Sequence, residues 1–348
     1  MFSCTKEYHM KRSGRQHAPP SRAGNLFAAP RTRCFLCALL LLCATAQSSD
    51  VFTSSGYARG GAEYLRLPVY AHYAGLCGAV GAWRQDLAGA QFNPAILEAS
   101  PPGALHAGGS YGILSNQTNL YGIDAVSDIG NIVVGGLTLM GYGIEGFDGR
   151  DSFGFPTGSF NYAANTLSAT VAGGLKWSIA AGMRVRYLHE RLDNGSANGI
   201  GFDAGLTWRP WDFACLGLSV LNVASKLWWS TGHADPILPA VRLGINGMFL
   251  DSSLTAEVDI DKSDWQPFGV RAGVEYKLLR MIPLRAGIGT EMDATSQSVN
   301  SRPDFSAGIG FRYQHCGVDY AFVFPEQSID LSSHRISAFV LLPHFWWQ

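Results

Sequence analysis

Between residues 104 and 342 polar and apolar side chains change places at almost every step, and this two-residue period constrains the fold more than any other feature of the chain. In Leu254-Thr255-Ala256-Glu257-Val258-Asp259-Ile260-Asp261 every even position is apolar and every odd one polar, so an extended backbone sorts them onto opposite faces. Phe305-Ser306-Ala307-Gly308-Ile309-Gly310-Phe311-Arg312-Tyr313 repeats the device with aromatics at both ends of its apolar face. Trp177, Ile179, Ala181, Met183, Val185 and Tyr187 repeat it again opposite Arg184 and Arg186. Glycine and charge on one face, and apolar residues framed by aromatics on the other, describe a wall whose apolar side meets lipid. Such segments fall at 104–114, 119–127, 131–141, 165–174, 177–190, 199–209, 213–223, 239–249, 253–262, 267–277, 282–291, 304–314, 317–324 and 333–342. Fourteen is even, so the chain returns to its starting side.

The connections point the same way. Tyr142 to Ala164, Arg191 to Asn198, Ala224 to Leu238, Met292 to Pro303 and Pro325 to Ser332 are long, whereas Leu175-Lys176, Pro210-Trp211-Asp212 and Leu250-Asp251-Ser252 are tight. Long outer loops alternating with short periplasmic turns are the habit of bacterial membrane barrels. The expected fold class is all-β, a fourteen-stranded antiparallel transmembrane β-barrel over residues 104–348. The 41 glycines, 12% aromatics and 15% charged residues suit that reading.

What precedes the barrel divides in two. Residues 1–46 carry Arg31 and Arg33, an apolar run from Cys34 to Ala44 and then Ala44-Thr45-Ala46, which reads as a cleaved secretory signal peptide with an unusually long N-terminal extension. Seven of the 26 basic residues and one of the 27 acids leave with it, so 19 face 26 in the remainder and the net charge is −7. Nucleic-acid binding wants the opposite sign. Cys77, Cys215 and Cys316 are the cysteines that stay, too few and too widely spaced for a disulfide framework or a zinc site.

Residues 47–103 have no sustained period. The stretch Leu67-Pro68-Val69, Ala74-Gly75-Leu76, Gly78-Ala79, Asp86 and Asn93-Pro94-Ala95 is dominated by small residues and needs walls around it. Its motifs and their spacing resemble the start of the FadL-like and PorV/PorQ outer-membrane proteins, and the strand count extends the resemblance over nearly the whole chain after the leader. Tyr70, His72, Arg84-Gln85-Asp86 and Ile96 depart from that pattern. The resemblance implies a plug inside the barrel, with Leu67, Pro68, Val69, Asn93, Pro94 and Ala95 as its motif. It also implies an outer-membrane protein that takes up hydrophobic ligands, long-chain fatty acids in the spirochaete-type members. A second implied reading is a PorV-like scaffold for secretion or assembly with a periplasmic protein partner.

No pattern supports an enzyme. Gly141-Tyr142-Gly143-Ile144-Glu145-Gly146 has the dinucleotide spacing but leads into Phe147-Asp148-Gly149-Arg150 instead of a helix. The histidines lack metal-site spacing and there is no G-x-S-x-G elbow. No cofactor or metal is expected. The partners expected are outer-membrane lipid and a hydrophobic small molecule. Arg184, Arg186, Arg242, Glu257, Asp259, Arg271, Glu275, Arg285 and Arg312 all fall on the face expected to line the lumen. There they either guide an anionic ligand or pair across neighbouring strands. Lys226, Leu227, Trp228 and Trp229 are expected in an outer loop as a ligand-capture patch, the alternative being that both tryptophans belong to an interfacial girdle.

Overall fold

A computed structural model describes residues 60–84, 87–114, 117–130, 132–263, 268–292, 301–325 and 332–343. The expected signal peptide and residues 47–59 lie outside the described residues, as do Gln85 and Asp86. The strands are β1 (Ala104–Leu114), β2 (Thr118–Ile129), β3 (Val133–Arg150), β4 (Pro156–Gly174), β5 (Ile179–Leu192), β6 (Gly195–Trp211), β7 (Ala214–Trp229), β8 (Ala234–Pro236), β9 (Ala240–Phe249), β10 (Leu254–Ser263), β11 (Phe268–Leu278), β12 (Ile282–Met292), β13 (Ser301–Tyr313), β14 (Cys316–Pro325) and β15 (Ser333–Pro343). Every pairing is antiparallel, and β1 pairs with β15 from Ala104↔Pro343 to Ile113↔His334, which closes the sheet on itself. The three residues of β8 pair only with β7, so fourteen strands form the wall.

Alternation decides which face is which. Leu137, Leu139, Leu167, Leu243, Ile245, Val258, Ile260, Ile288, Ile309 and Ile336 are exposed on the outside, a surface only hydrocarbon would wet without cost. Trp208, Trp211, Phe213, Phe249, Tyr276, Phe311 and Tyr313 ring the outside near the short turns. Tyr111, Tyr121, Tyr187, Trp228, Phe268 and Phe305 form a second ring towards the other end. Aromatic rings of this kind sit where lipid meets water.

Three connections expected as loops are strand. The one expected from Arg191 to Asn198 is a two-residue turn, because β5 and β6 stay paired out to Leu192↔Gly195. β3 and β4 run for 18 and 19 residues, about twice the 9–11 needed to cross a membrane, and leave only 151–155 between them. Gly141 to Gly146 therefore lies within β3. Likewise β7 continues to Trp229 and turns back through β8. Beyond the bilayer both faces of a hairpin are wet, so the lipid-facing alternation fades while the backbone hydrogen bonds persist. β7 is also the irregular strand of the wall: Asn222 and Ala224 have φ of 60° and 50°. The β7–β9 ladder ends at Leu221↔Ala240, and pairing resumes against β8 at Lys226↔Pro236.

Candidate functional site: the plug and its seat

The segment before β1 fills the lumen. Gly61 donates its N–H to the Pro236 carbonyl (2.9 Å) at the long-hairpin end. The chain then passes through a short 3-10 turn (Glu63–Arg66), a one-turn helix α1 (Ala71–Ala74) and two further 3-10 turns (Leu87–Gln91 and Pro94–Ala99), reaching β1 at the short-turn end. Tyr73, Leu76, Val80, Trp83 and Ile96 are sealed from solvent. With few regular hydrogen bonds of its own, the segment must find partners for its buried main chain elsewhere.

Each half of the motif shows how. Gln91 bridges Leu67 and Val69: its side-chain nitrogen donates to the Leu67 carbonyl (2.7 Å) and its oxygen accepts from the Val69 N–H (3.1 Å). Ser110 of β1 donates to the Val69 carbonyl (2.8 Å). Pro68 lies between these ties, where its missing N–H leaves nothing unpaired. Asn93 caps the last 3-10 turn by accepting from the Ala95 N–H (3.1 Å), and its Nδ2 donates to the carbonyls of Gly81 (2.7 Å) and of Leu206 in β6 (3.1 Å). Pro94 follows at the first helical position, where proline fits. This turn lies directly on β5: a Cβ placed on Gly182 would overlap the Pro94 and Ala95 backbone.

The lumen charges complete the fastening. Asp259 accepts from the N–H groups of Val80 and Gly81, both at 2.9 Å, and Glu257 from that of Ala82 at 2.6 Å and from Asn246 at 3.0 Å. Arg242 donates to the Gly78 carbonyl (3.0 Å) and lies 3.6 Å from Asp259. Arg184 donates to the carbonyls of Ala90 and Gln91, both at 2.7 Å, while its Nε and the Arg186 guanidinium both meet Asp203 at 2.6 Å. The remaining ties run along the wall. Arg271 pairs with Asp261 on the neighbouring strand, Arg285 with Glu275 (2.7 Å) and Asp319 (2.6 Å), and Arg312 with Asp319 (2.8 Å). All nine charges thus sit on the lumen side. Facing lipid, each Arg or Lys would cost about 2–4 kcal/mol at midplane. Sequence reasoning omitted Asp203, Asp261 and Asp319, although their parity on β6, β10 and β14 already puts them on the lumen face.

Glycines bring wall and plug together. A Cβ on Gly217 of β7 would overlap the Gly81 carbonyl, and one on Gly287 of β12 the Leu76–Cys77 backbone. In the long-hairpin half of the β2–β7 side the contact is mainly apolar: Tyr64, Leu65, Val69 and Tyr70 of the plug cluster with Leu120, Met140, Ala164, Leu188, Ala197 and Leu227. Tyr64 stacks on Tyr142 at 5.6 Å and its hydroxyl bonds Thr166 at 2.9 Å. Burial raises the Tyr64 hydroxyl pKa and pushes the Cys77 thiol up to about 11, against the Ser306 hydrogen bond that lowers it. Cys77, Cys215 and Cys316, the cysteines among the described residues, are free.

A cavity of about 380 Å³ lies at the short-turn end, bordered by His72, Arg84, Pro283, Arg285 and Phe339, and two of about 40 Å³ lie along the plug. The expected capture loop is corrected by its geometry. Lys226 to Trp229 are strand residues of β7, Leu227 points inward and is sealed, and Trp229 donates to Asp235 (2.6 Å). Trp228 and Lys226 alone of the four are exposed.

A transmembrane barrel of fourteen strands, closed by an N-terminal plug, is the class this architecture defines. Within it the fold is that of the FadL-like barrels. It matches a FadL homologue of Pseudomonas aeruginosa with a TM-score of 0.57 at 12% identity, over 79% of this chain and 98% of that one. It matches the monoaromatic hydrocarbon channel CymD with a TM-score of 0.59 at 14% identity, over 78% and 96%. The toluene transporter TodX of Pseudomonas putida matches with a TM-score of 0.55 at 14% identity, over 85% and 100%. No family model and no curated protein sequence matches the chain.

Proposed function

We propose that this chain is an outer-membrane uptake barrel for hydrophobic small molecules, with the short turns in the periplasm and long-chain fatty acids as the ligand. The observation that carries the reading is the apolar seam between the plug and β2–β7. One of the 40 Å³ cavities opens along it, bordered by Leu65, Val69, Tyr70, Leu97, Val126 and Met140 and, on its polar part, by Asp124, Thr138, Thr166, Ser168, Thr170, Arg184 and Arg186. An apolar chain that enters there replaces like with like as it lifts the plug, while water does not, and the two arginines supply partners for a carboxylate. The structural neighbours, a FadL homologue and two carriers of aromatic hydrocarbons, support an apolar cargo. Trp228 and Lys226, exposed on the hairpin that borders the irregular part of β7, are the proposed first contact. No covalent chemistry enters this reading.

Radiolabelled oleate and toluene uptake into cells expressing the chain tests the proposal. Uptake of oleate above the empty-vector level, reduced severalfold in a Trp228→Ala, Trp229→Ala variant that still inserts, is the expected result. Equal uptake with and without the chain would sink it. One observation favours the scaffold reading instead, namely the polar ties that hold the plug along β9 and β10. A native pull-down yielding a stoichiometric protein and no lipid would establish it.

A further inference from the structure

At the short-turn end the plug stops short of the wall and leaves the larger cavity. Five bases line it, Arg84, Lys277, Arg280, Arg285 and Arg312, against one carboxylate, Glu275. Outside the lining, Arg84 pairs with Glu98 at 2.5 Å, and Arg285 and Arg312 share Asp319. The bases in the lining thus outnumber Glu275, Glu98 and Asp319 by five to three. His106, also in the lining, forms its own pair with Asp124 at 3.2 Å. The central base is Arg285, whose side chain is sealed from solvent. It commits Nε to Glu275 and Nη1 to Asp319, and its Nη2 has no hydrogen-bond partner among the described residues. A buried guanidinium N–H is costly to leave unpaired. The remaining wall is apolar: Phe339, Leu341 and Pro283, with the Arg312 guanidinium 4.8 Å above the Phe339 ring.

Excess positive charge, an unused buried donor and an apolar floor within one cavity ask for a ligand with both characters. We propose that this cavity binds a compact organic anion, an oxyanion group such as a carboxylate or phosphate carried on a small apolar body. Arg285 and Arg312 hold the oxyanion through charge-assisted hydrogen bonds, Phe339 and Leu341 cover the body, and Arg280, exposed on the tight turn, draws the anion in from the periplasmic side. The site stands apart from the apolar seam and does not depend on the uptake reading.

Titration calorimetry on the full-length barrel in detergent tests it with four probes: benzoate, phenyl phosphate, inorganic phosphate and benzyl alcohol. The expected result is one-to-one binding of benzoate or phenyl phosphate at least about tenfold tighter than of the bare ion or the neutral alcohol. Arg312→Gln should weaken it by about tenfold and Arg280→Gln by about threefold, with folding checked by the mobility of unheated protein in SDS gels. If Arg312→Gln does not fold, Arg280→Gln decides, because its side chain is exposed on the turn. Inorganic phosphate binding as tightly as benzoate would reduce the cavity to a bare ion site, and no binding, or binding indifferent to the folded variants, would overturn the proposal outright. Loss of oleate uptake with benzoate binding intact would sink the uptake reading and leave this one standing.

Discussion

The plug meets two different walls. Against β2–β7 in its outer half it buries Tyr64, Leu65, Val69 and Tyr70 on Leu120, Met140, Leu188 and Leu227. Against β9 and β10 it offers main chain, and Arg242, Glu257 and Asp259 receive it. The first contact is non-directional and proportional to area. The second is directional, and costly to break because buried N–H groups lose their acceptors. An apolar ligand competes with the first and has nothing to offer the second. On the uptake reading proposed above, the first side is the one such a ligand would lift and the second the one that would act as a hinge.

Four variants break or sharpen this contrast. Gly217→Val puts side-chain atoms where the Gly81 carbonyl lies, so the 78–82 loop cannot dock and the barrel should show ion conductance in planar bilayers that the parent lacks. Asp259→Ala leaves the N–H groups of Val80 and Gly81 without acceptors, at about 1–3 kcal/mol each, and hydrogen exchange at those amides should accelerate by at least about tenfold. Leu188→Ala, on the apolar side, costs about 2–5 kcal/mol as a buried leucine. It should loosen the Tyr64–Tyr70 segment while leaving exchange at Val80 and Gly81 unchanged; acceleration at both would refute the division into two sides. Tyr64→Phe removes only the Thr166 bond, worth about 0.5–1.5 kcal/mol, and should be barely detectable in the same measurement.

Cys77 gives an independent readout. Burial holds its thiol neutral up to about pH 11 in the docked plug, whereas a free thiol ionises near pH 8.5. The docked state binds the proton more tightly, so this group's contribution to docking is fully present below the free-thiol pKa and is lost as pH rises towards 11. Bimane labelling of Cys77 in a Cys215→Ser, Cys316→Ser background should be slow at neutral pH and speed up in Gly217→Val. Equal rates in parent and variant would mean the plug is already loose.

The wall is legible in the sequence because a two-residue period reports which face meets lipid, and the same parity places all nine lumen charges. Strand ends are legible only as far as the bilayer extends, which is why β3, β4 and β7 outrun their expected limits. The plug is another matter. Asn93-Pro94-Ala95 is visible as a motif, but its partner Leu206 lies 113 residues away and Ser306 lies 229 residues from Cys77. No local pattern encodes such pairs. The choice between anion guidance and cross-strand pairing for the lumen charges also lacked a third possibility, that a carboxylate on the wall can serve a backbone amide of the plug.

The closing seam carries a consequence for how the molecule is made. The plug runs directly into β1, and β1 is the strand that β15 must find last. Because plug and seat touch across glycines with no room for a side chain, a finished cylinder offers no way in for a segment already tethered at its rim. The wall is therefore best built as a sheet curling round the segment, which acts as the mandrel on which the curvature is set. Synthesis from the N-terminus delivers the mandrel before the first strand, and the final ladder, from Ala104↔Pro343 to Ile113↔His334, locks it inside.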